Sequence, residues 1–143
     1  MTSEKLKEIS YRLFEEVWNE GNLDVIDDII SEDYVLHIGN IDVIGITNYK
    51  NYIKSYRNAF TDIHFKIEDI IMNDDKVVER YTATGTHNGD LYGITPTNKK
   101  AKISGIDIVR IKNGKMIERW GQADLLGLIK QLGIIPELNN LKI

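Results

Sequence analysis

Two residues, Asn113-Gly114, constrain this chain more than any others. They stand between two β-rich runs, and Asn-Gly supplies the two φ > 0 positions of a type I′ hairpin turn, so the flanks must be antiparallel strands. With Lys112 paired to Lys115, an unbroken ladder predicts Asp107 opposite Trp120, Gly105 opposite Gln122 and Ile103 opposite Asp124. Side chains alternate faces along a strand. One face is then expected to carry Asp107, Glu118, Trp120, Gln122 and Asp124, and the other Ile106, Ile108, Arg110, Ile117, Arg119 and Ala123. A polar cluster around a tryptophan is the strongest functional signal in the sequence.

The elements before the hairpin follow from periodicity. Leu6, Ile9, Leu13 and Val17, with Phe14 and Trp18, recur at helical spacing between a candidate N-cap, Ser3, and a stop at Gly21. A shorter helix comes next, capped by Asn22, with Leu23, Ile26, Ile29 and Ile30 as its apolar stripe. Asp33–Ile38 has strand composition, and Thr47 is placed to cap a third helix. Tyr49, Tyr52, Ile53, Tyr56 and Phe60 lie on one face of that helix, as expected for packing on a sheet, and Tyr56 and Phe60 could also meet a flat ring ligand. Ile63–Ile67 and Lys76–Thr86 read as strands joined at Asn73-Asp74-Asp75, and Lys102–Ile111 resumes the sheet after a loop broken by Gly89, Gly93 and Pro96. Leu125 to Leu132 form a short apolar helix ended by Gly133, and residues Asn139–Ile143 read as a loose tail. Helices first and strands later predict one α+β domain over residues 1–143: a cone-shaped, curved antiparallel sheet covered by the N-terminal helices. A cone that its helices do not fill leaves an apolar pocket, the usual form of a small-molecule site.

Composition excludes several classes. The 18 basic and 22 acidic residues are interspersed, leaving a net charge of −4 and no basic run to track a phosphate backbone, so no nucleic acid is expected. There is no cysteine, hence no disulfide, thiolate metal site or cysteine nucleophile. No apolar run approaches the ~20 residues that cross a bilayer, and the opening residues lack the apolar core of a signal peptide. The expectation is a soluble cytoplasmic protein with no membrane partner. The three histidines His37, His64 and His87 form no paired imidazole spacing, so no metal is expected.

Asn19-Glu-Gly-Asn-Leu-Asp24, Asp33-Tyr-Val-Leu-His37, Gly85-Thr-His-Asn-Gly89 with Gly93-Ile-Thr-Pro-Thr97, Asn113-Gly-Lys-Met-Ile-Glu-Arg-Trp120, Asp124 and Gln131-Leu-Gly133 together resemble the SnoaL-like polyketide cyclases, of the nuclear transport factor two-like fold. The resemblance covers nearly the whole chain. It implies a pocket in the cone, a small apolar or aromatic carbonyl ligand, catalysis without cofactor or metal, and commonly a homodimer packed through the sheets. In cyclases of that family an aspartate after the tryptophan of the last strand is the acid/base of an intramolecular aldol closure, which makes Asp124 the candidate here. The family often has His before that tryptophan, where this chain has Arg119.

Each candidate also has a plainer reading. Asp124 stands just before the last helix and is equally suited to cap it. His37 is a candidate proton shuttle or a structural histidine, and Trp120 is pocket wall or core. Asp107 and Gln122 could orient a substrate oxygen, or Asp107 could pair with an arginine such as Arg80. His64 is expected on the opposite face, and His87 at a pocket mouth or in a turn. Three functions remain open: a cyclase or isomerase working by acid/base proton transfer, a non-catalytic binding module, and a dimeric interaction domain using the face of Ile106, Ile108 and Ile117.

Overall fold

Thr2, one residue ahead of the expected cap, starts the first helix: its hydroxyl accepts the Lys5 N–H at 3.2 Å, and α1 runs Ser3–Arg12. The computed structural model describes residues 2–134, so the tail expected at Asn139–Ile143 lies outside the described residues. Past Arg12 the helix widens into a π-helical segment, Leu13–Asn19, with bonds such as Glu20 N–H to Glu15 C=O at 3.0 Å. Phe14, Val17 and Trp18 are all buried there. A 3₁₀ turn, Leu23–Val25, leads into α2 (Ile26–Ile29), then β1 (Ile30–Ile38), β2 (Ile41–Ile44) and α3 (Ile46–Ala59). Gly45 precedes α3 without a side-chain cap, and Thr47, expected to cap it, is already helical. The rest is strands until the end: β3 (His64–Asn73), β4 (Lys76–Thr86), β5 (Lys100–Lys112), β6 (Lys115–Ala123) and α4 (Leu125–Leu132). Gly133 ends α4 in the left-handed conformation, at φ 72°.

The six strands form one curved, unclosed sheet in the order β2-β1-β6-β5-β4-β3. The sheet is mixed, which corrects the fully antiparallel expectation: β1 runs parallel to β6. The chain leaves β1, builds β2 to β5, and only then returns as β6 beside β1, the long crossover that a parallel pair requires.

The hairpin tip forms as expected, with Asn113 at φ 53° and Gly114 at φ 79° and Lys112 opposite Lys115. One step further in, the ladder breaks. Ile111 pairs with Met116, but Arg110 pairs with Glu118, so Ile117 is an extra residue in β6. This bulge corrects the expected register: Asp107 lies opposite Gly121, and Gly105 opposite Ala123. A one-residue slip sends every side chain to the other face. Arg119, Gly121 and Ala123 therefore line the cavity, while Trp120 and Gln122 are exposed.

The inner face is laid out in rows across the strands. Val77, Val109 and Arg119 form the deepest, Glu79, Asp107 and Gly121 the next, and Tyr81, Gly105 and Ala123 the next. α3 and the π-helical segment cover them and bury a core of Leu13, Phe14, Val17, Ile26, Tyr34, Tyr49, Ile53 and Met116. Two contacts fasten that cover. The Asn19 side chain exchanges two hydrogen bonds with the Phe65 backbone, at 2.7 and 2.9 Å, and the Arg57 guanidinium donates to the Trp18 and Asn19 carbonyls at the helix end.

Candidate active site

Between helices and sheet remains a cavity of about 100 Å³. Its walls are almost entirely apolar and aromatic: Trp18, Tyr52 and Tyr56 from the helices, Phe60 just past the end of α3, and Phe65, Tyr81 and Ile103 from the sheet. Tyr56 and Phe60 thus both face the cavity. The aromatic spacing of α3 serves the cavity as well as the packing, with Tyr52 and Tyr56 5.2 Å apart and edge to face. Burial raises both phenols, Tyr52 well above the usual tyrosine range.

Two glycines shape the floor. A Cβ on Gly105 would overlap the Tyr81 ring and hydroxyl, and a Cβ on Gly121 would come within 3.1 Å of Asp107 Oδ1. The missing side chains leave room for a phenol and a carboxyl on the neighbouring strands.

The polar end of the cavity is a buried ionic cluster. Arg119 Nη1 donates to Asp107 Oδ2 at 2.8 Å, and Arg119 Nε donates to the Tyr34 hydroxyl at 3.1 Å. Glu79 Oε1 is 2.9 Å from the same Nη1, in contact but off the hydrogen-bond direction. Among the described residues neither Glu79 oxygen nor Asp107 Oδ1 meets a donor at full hydrogen-bond geometry, although the Gln122 backbone N–H is close enough to favour the charged form of Asp107. Glu79 has no exposed surface, and the Arg119 guanidinium lies 5.9 Å from the Phe14 ring centre. Such burial penalises charge, pushing the Glu79 carboxyl up to about 7 and raising Asp107, against the pull of Arg119. Burial also opposes the Arg119 charge, yet Glu79, Tyr34 and Asp107 together hold it firmly protonated.

The residues singled out from sequence divide sharply. Asp107, Tyr56 and Phe60 line the cavity. Asp107 pairs with Arg119, and Arg80, the expected partner, is exposed on the outer face. Trp120 stacks on His37 outside, ring centres 5.6 Å apart, and His37 bridges Asp42 at 2.8 Å and Glu118 at 2.7 Å. The expectation that Trp120, Gln122 and His37 face the cone is corrected, because the bulge at Ile117 reverses β6 and His37 pairs with Trp120 across the parallel strands. Asp124 is exposed, with Oδ1 accepting the Gly127 N–H at 2.9 Å as the cap of α4, and it is not part of the cavity lining. His64 is exposed as expected. His87 is fully buried against Phe60, with Nδ1 accepting the Thr97 N–H at 3.2 Å. Glu79 and Arg119 were missed as site residues. The alternating burial of β4 was the available signal for Glu79, an acid in step with Val77, Tyr81 and Ala83.

The SnoaL-like polyketide cyclase family model matches residues 8–132. The chain belongs to this family. Among solved structures, a candidate polyketide cyclase from Acidithiobacillus ferrooxidans is 33% identical, with 93% of this chain and 98% of that one covered and a TM-score of 0.82. TsrD from Streptomyces laurentii is 26% identical over 94% of this chain and 99% of that one, with a TM-score of 0.85. A candidate SnoaL-like polyketide cyclase from Jannaschia sp. CCS1 shares the fold at 22% identity, over 93% and 94% of the two chains, with a TM-score of 0.86. No curated protein matches the sequence. These similarities agree with the nuclear transport factor two-like fold expected from the sequence. No described helix of this SnoaL-like chain is long and apolar enough to cross a membrane, and no group of three or more described His, Asp or Glu is arranged to hold a metal ion.

Proposed function

We propose that this SnoaL-like protein catalyses cofactor-free proton transfer on a small aromatic or apolar carbonyl compound, with an aldol-type ring closure as the reaction best suited to the site. The observation that carries this reading is the buried Asp107 carboxyl on the wall of a mainly apolar cavity, held through its Oδ2 by Arg119. A carboxylate removed from water is a stronger base than one in solution, and general-base catalysis of this kind contributes about 10²–10⁴-fold. Asp107 takes the proton from the carbon next to the carbonyl, and the C–H electron pair becomes that of an enolate. The enolate carbon forms a bond to a second carbonyl carbon of the same molecule, whose oxygen then receives the proton from Asp107. No atom is gained or lost overall. Arg119 holds the Asp107 Oδ2 and so fixes the carboxyl plane, and the Tyr81 hydroxyl above Gly105, on the cavity wall, is the phenol assigned to donate to the developing oxyanion.

The experiment requires no knowledge of the natural substrate. In deuterated buffer, 2-tetralone exchanges the hydrogens next to its carbonyl, and NMR follows the rate. The protein should accelerate that exchange, and Asp107→Asn should remove at least about 100-fold of the acceleration. A folded Asp107→Asn protein that exchanges at the wild-type rate would overturn the assignment.

A further inference from the structure

The ionic cluster holds more acid than one arginine can balance. Glu79 and Asp107 are direct neighbours across β4 and β5, and both reach the same nitrogen, Arg119 Nη1, at 2.9 and 2.8 Å. With both carboxyls ionised the cluster carries a net negative charge in a region almost wholly removed from water. With both protonated it leaves the guanidinium without a counter-charge. The neutral state holds a single proton on two carboxyls, and like charges this close resist ionising together. We propose that Glu79 and Asp107 share one proton on Arg119, so that Glu79 sets the protonation state of Asp107 and is a positioning residue for it.

Three further observations support this. Both Glu79 oxygens are buried without a well-directed hydrogen bond, so apart from its 2.9 Å contact with Arg119 nothing holds the carboxyl ionised and it has room to carry a proton. The other groups facing the cluster are phenols: Tyr34 from β1, Tyr49 from α3 and Tyr81 from β4. Burial raises all three, so none releases a proton near neutrality, and Arg119 does not titrate there either. The carboxyl pair is thus the part of the cluster able to change charge at neutral pH, and burial places Glu79 at about 7. Glu79 does not line the cavity while Asp107 does, so a proton resting on Glu79 frees Asp107 to act as the base.

The functional meaning of this coupling rests on Asp107 as the base proposed above, but the coupling itself is measured without substrate. Carboxyl ¹³C NMR of the full chain, titrated with pH, should show the wild-type pair losing its protons in two separated steps. Asp107→Asn should lower the Glu79 midpoint by about one pH unit or more, a tenfold or greater loss of proton affinity, because its like-charged neighbour is gone. Glu79→Gln, which keeps a neutral neighbour in place, should leave Asp107 titrating in the lower step alone, and serves by itself if the first variant does not fold. Independent titration of both carboxyls in the ordinary carboxylate range in wild type, a Glu79 midpoint unmoved in folded Asp107→Asn, or an upper titration step that survives in folded Glu79→Gln, would overturn the shared proton. The pH profile of 2-tetralone exchange should lose, in Glu79→Gln, the inflection that follows the upper carboxyl step, a change that a merely structural residue would not cause. Coupled titration with undiminished exchange in Asp107→Asn would keep the shared proton and remove the catalytic assignment. Loss of exchange with uncoupled carboxyls would do the reverse.

Discussion

The sheet carries two clusters of the same make-up on its opposite faces. Inside, two acids, Glu79 and Asp107, surround one base, Arg119; outside, two acids, Asp42 and Glu118, surround one base, His37. Each cluster lies against aromatic rings, Phe14 inside and Trp120 outside. Their surroundings differ. The inner side chains are 0–12% exposed, and burial is the leading influence on both carboxyls, raising them. The outer ones are 29–55% exposed, and hydrogen bonds donated to Glu118 and then Asp42 are what raise His37. Residue type alone does not make an acid/base centre. Exclusion of water does, because it makes the charged form of a carboxyl costly enough to bring its titration toward neutral pH.

The largest test of this contrast is Arg119→Met, which leaves two buried acids without their counter-charge. Urea denaturation at pH 8 should show a loss of about 3–5 kcal/mol, the range for breaking a buried pair from one side. A loss no larger than that of a surface pair would erase the difference between the two faces. Glu79→Gln tests the same burial through pH. A carboxyl whose folded value is raised contributes stability below its unfolded value and loses it as pH rises through the folded one, here between about 4.5 and about 7. Wild type should therefore lose roughly 3 kcal/mol of the Glu79 contribution across that window, and the variant should not. Its stability relative to wild type should improve with rising pH, and parallel curves would contradict the assignment. His37→Gln should give the smallest change, since water screens its partners. A raised histidine stabilises the fold at low pH and loses that contribution as pH climbs from about 6.5 through the folded value. The variant should flatten thermal stability over that range and leave 2-tetralone exchange as it was.

Much of the fold was legible because it depends on short-range rules. The Asn113-Gly114 turn, the Lys76–Thr86 strand, the aromatic face of α3 and the Gly133 stop all follow from neighbours a few residues apart. Half of the site was legible for the same reason: Tyr56, Phe60 and Asp107 stand on periodic elements whose buried face is set by pattern. Trp120, Gln122 and Arg119 were read onto the wrong faces because a single extra residue, Ile117, is enough to reverse a strand. Met116 and Arg119, both buried and three apart, mark that bulge in the structure. In the sequence they read as one residue inside and one outside.

By itself the sequence determined the class of fold, the hairpin at its centre and a helix face rich in tyrosine, since propensity, capping and alternation act locally and leave their mark in the order of residues. The choice between Trp120 and Arg119 for the cavity, the parallel placement of β1 beside β6, and the meeting of Glu79 with Asp107 on one guanidinium belong to the tertiary structure. These depend on register and on which strands become neighbours. Such pairings are settled by the summed burial of distant residues, with Glu79 and Arg119 forty positions apart in the chain and 2.9 Å apart in the fold.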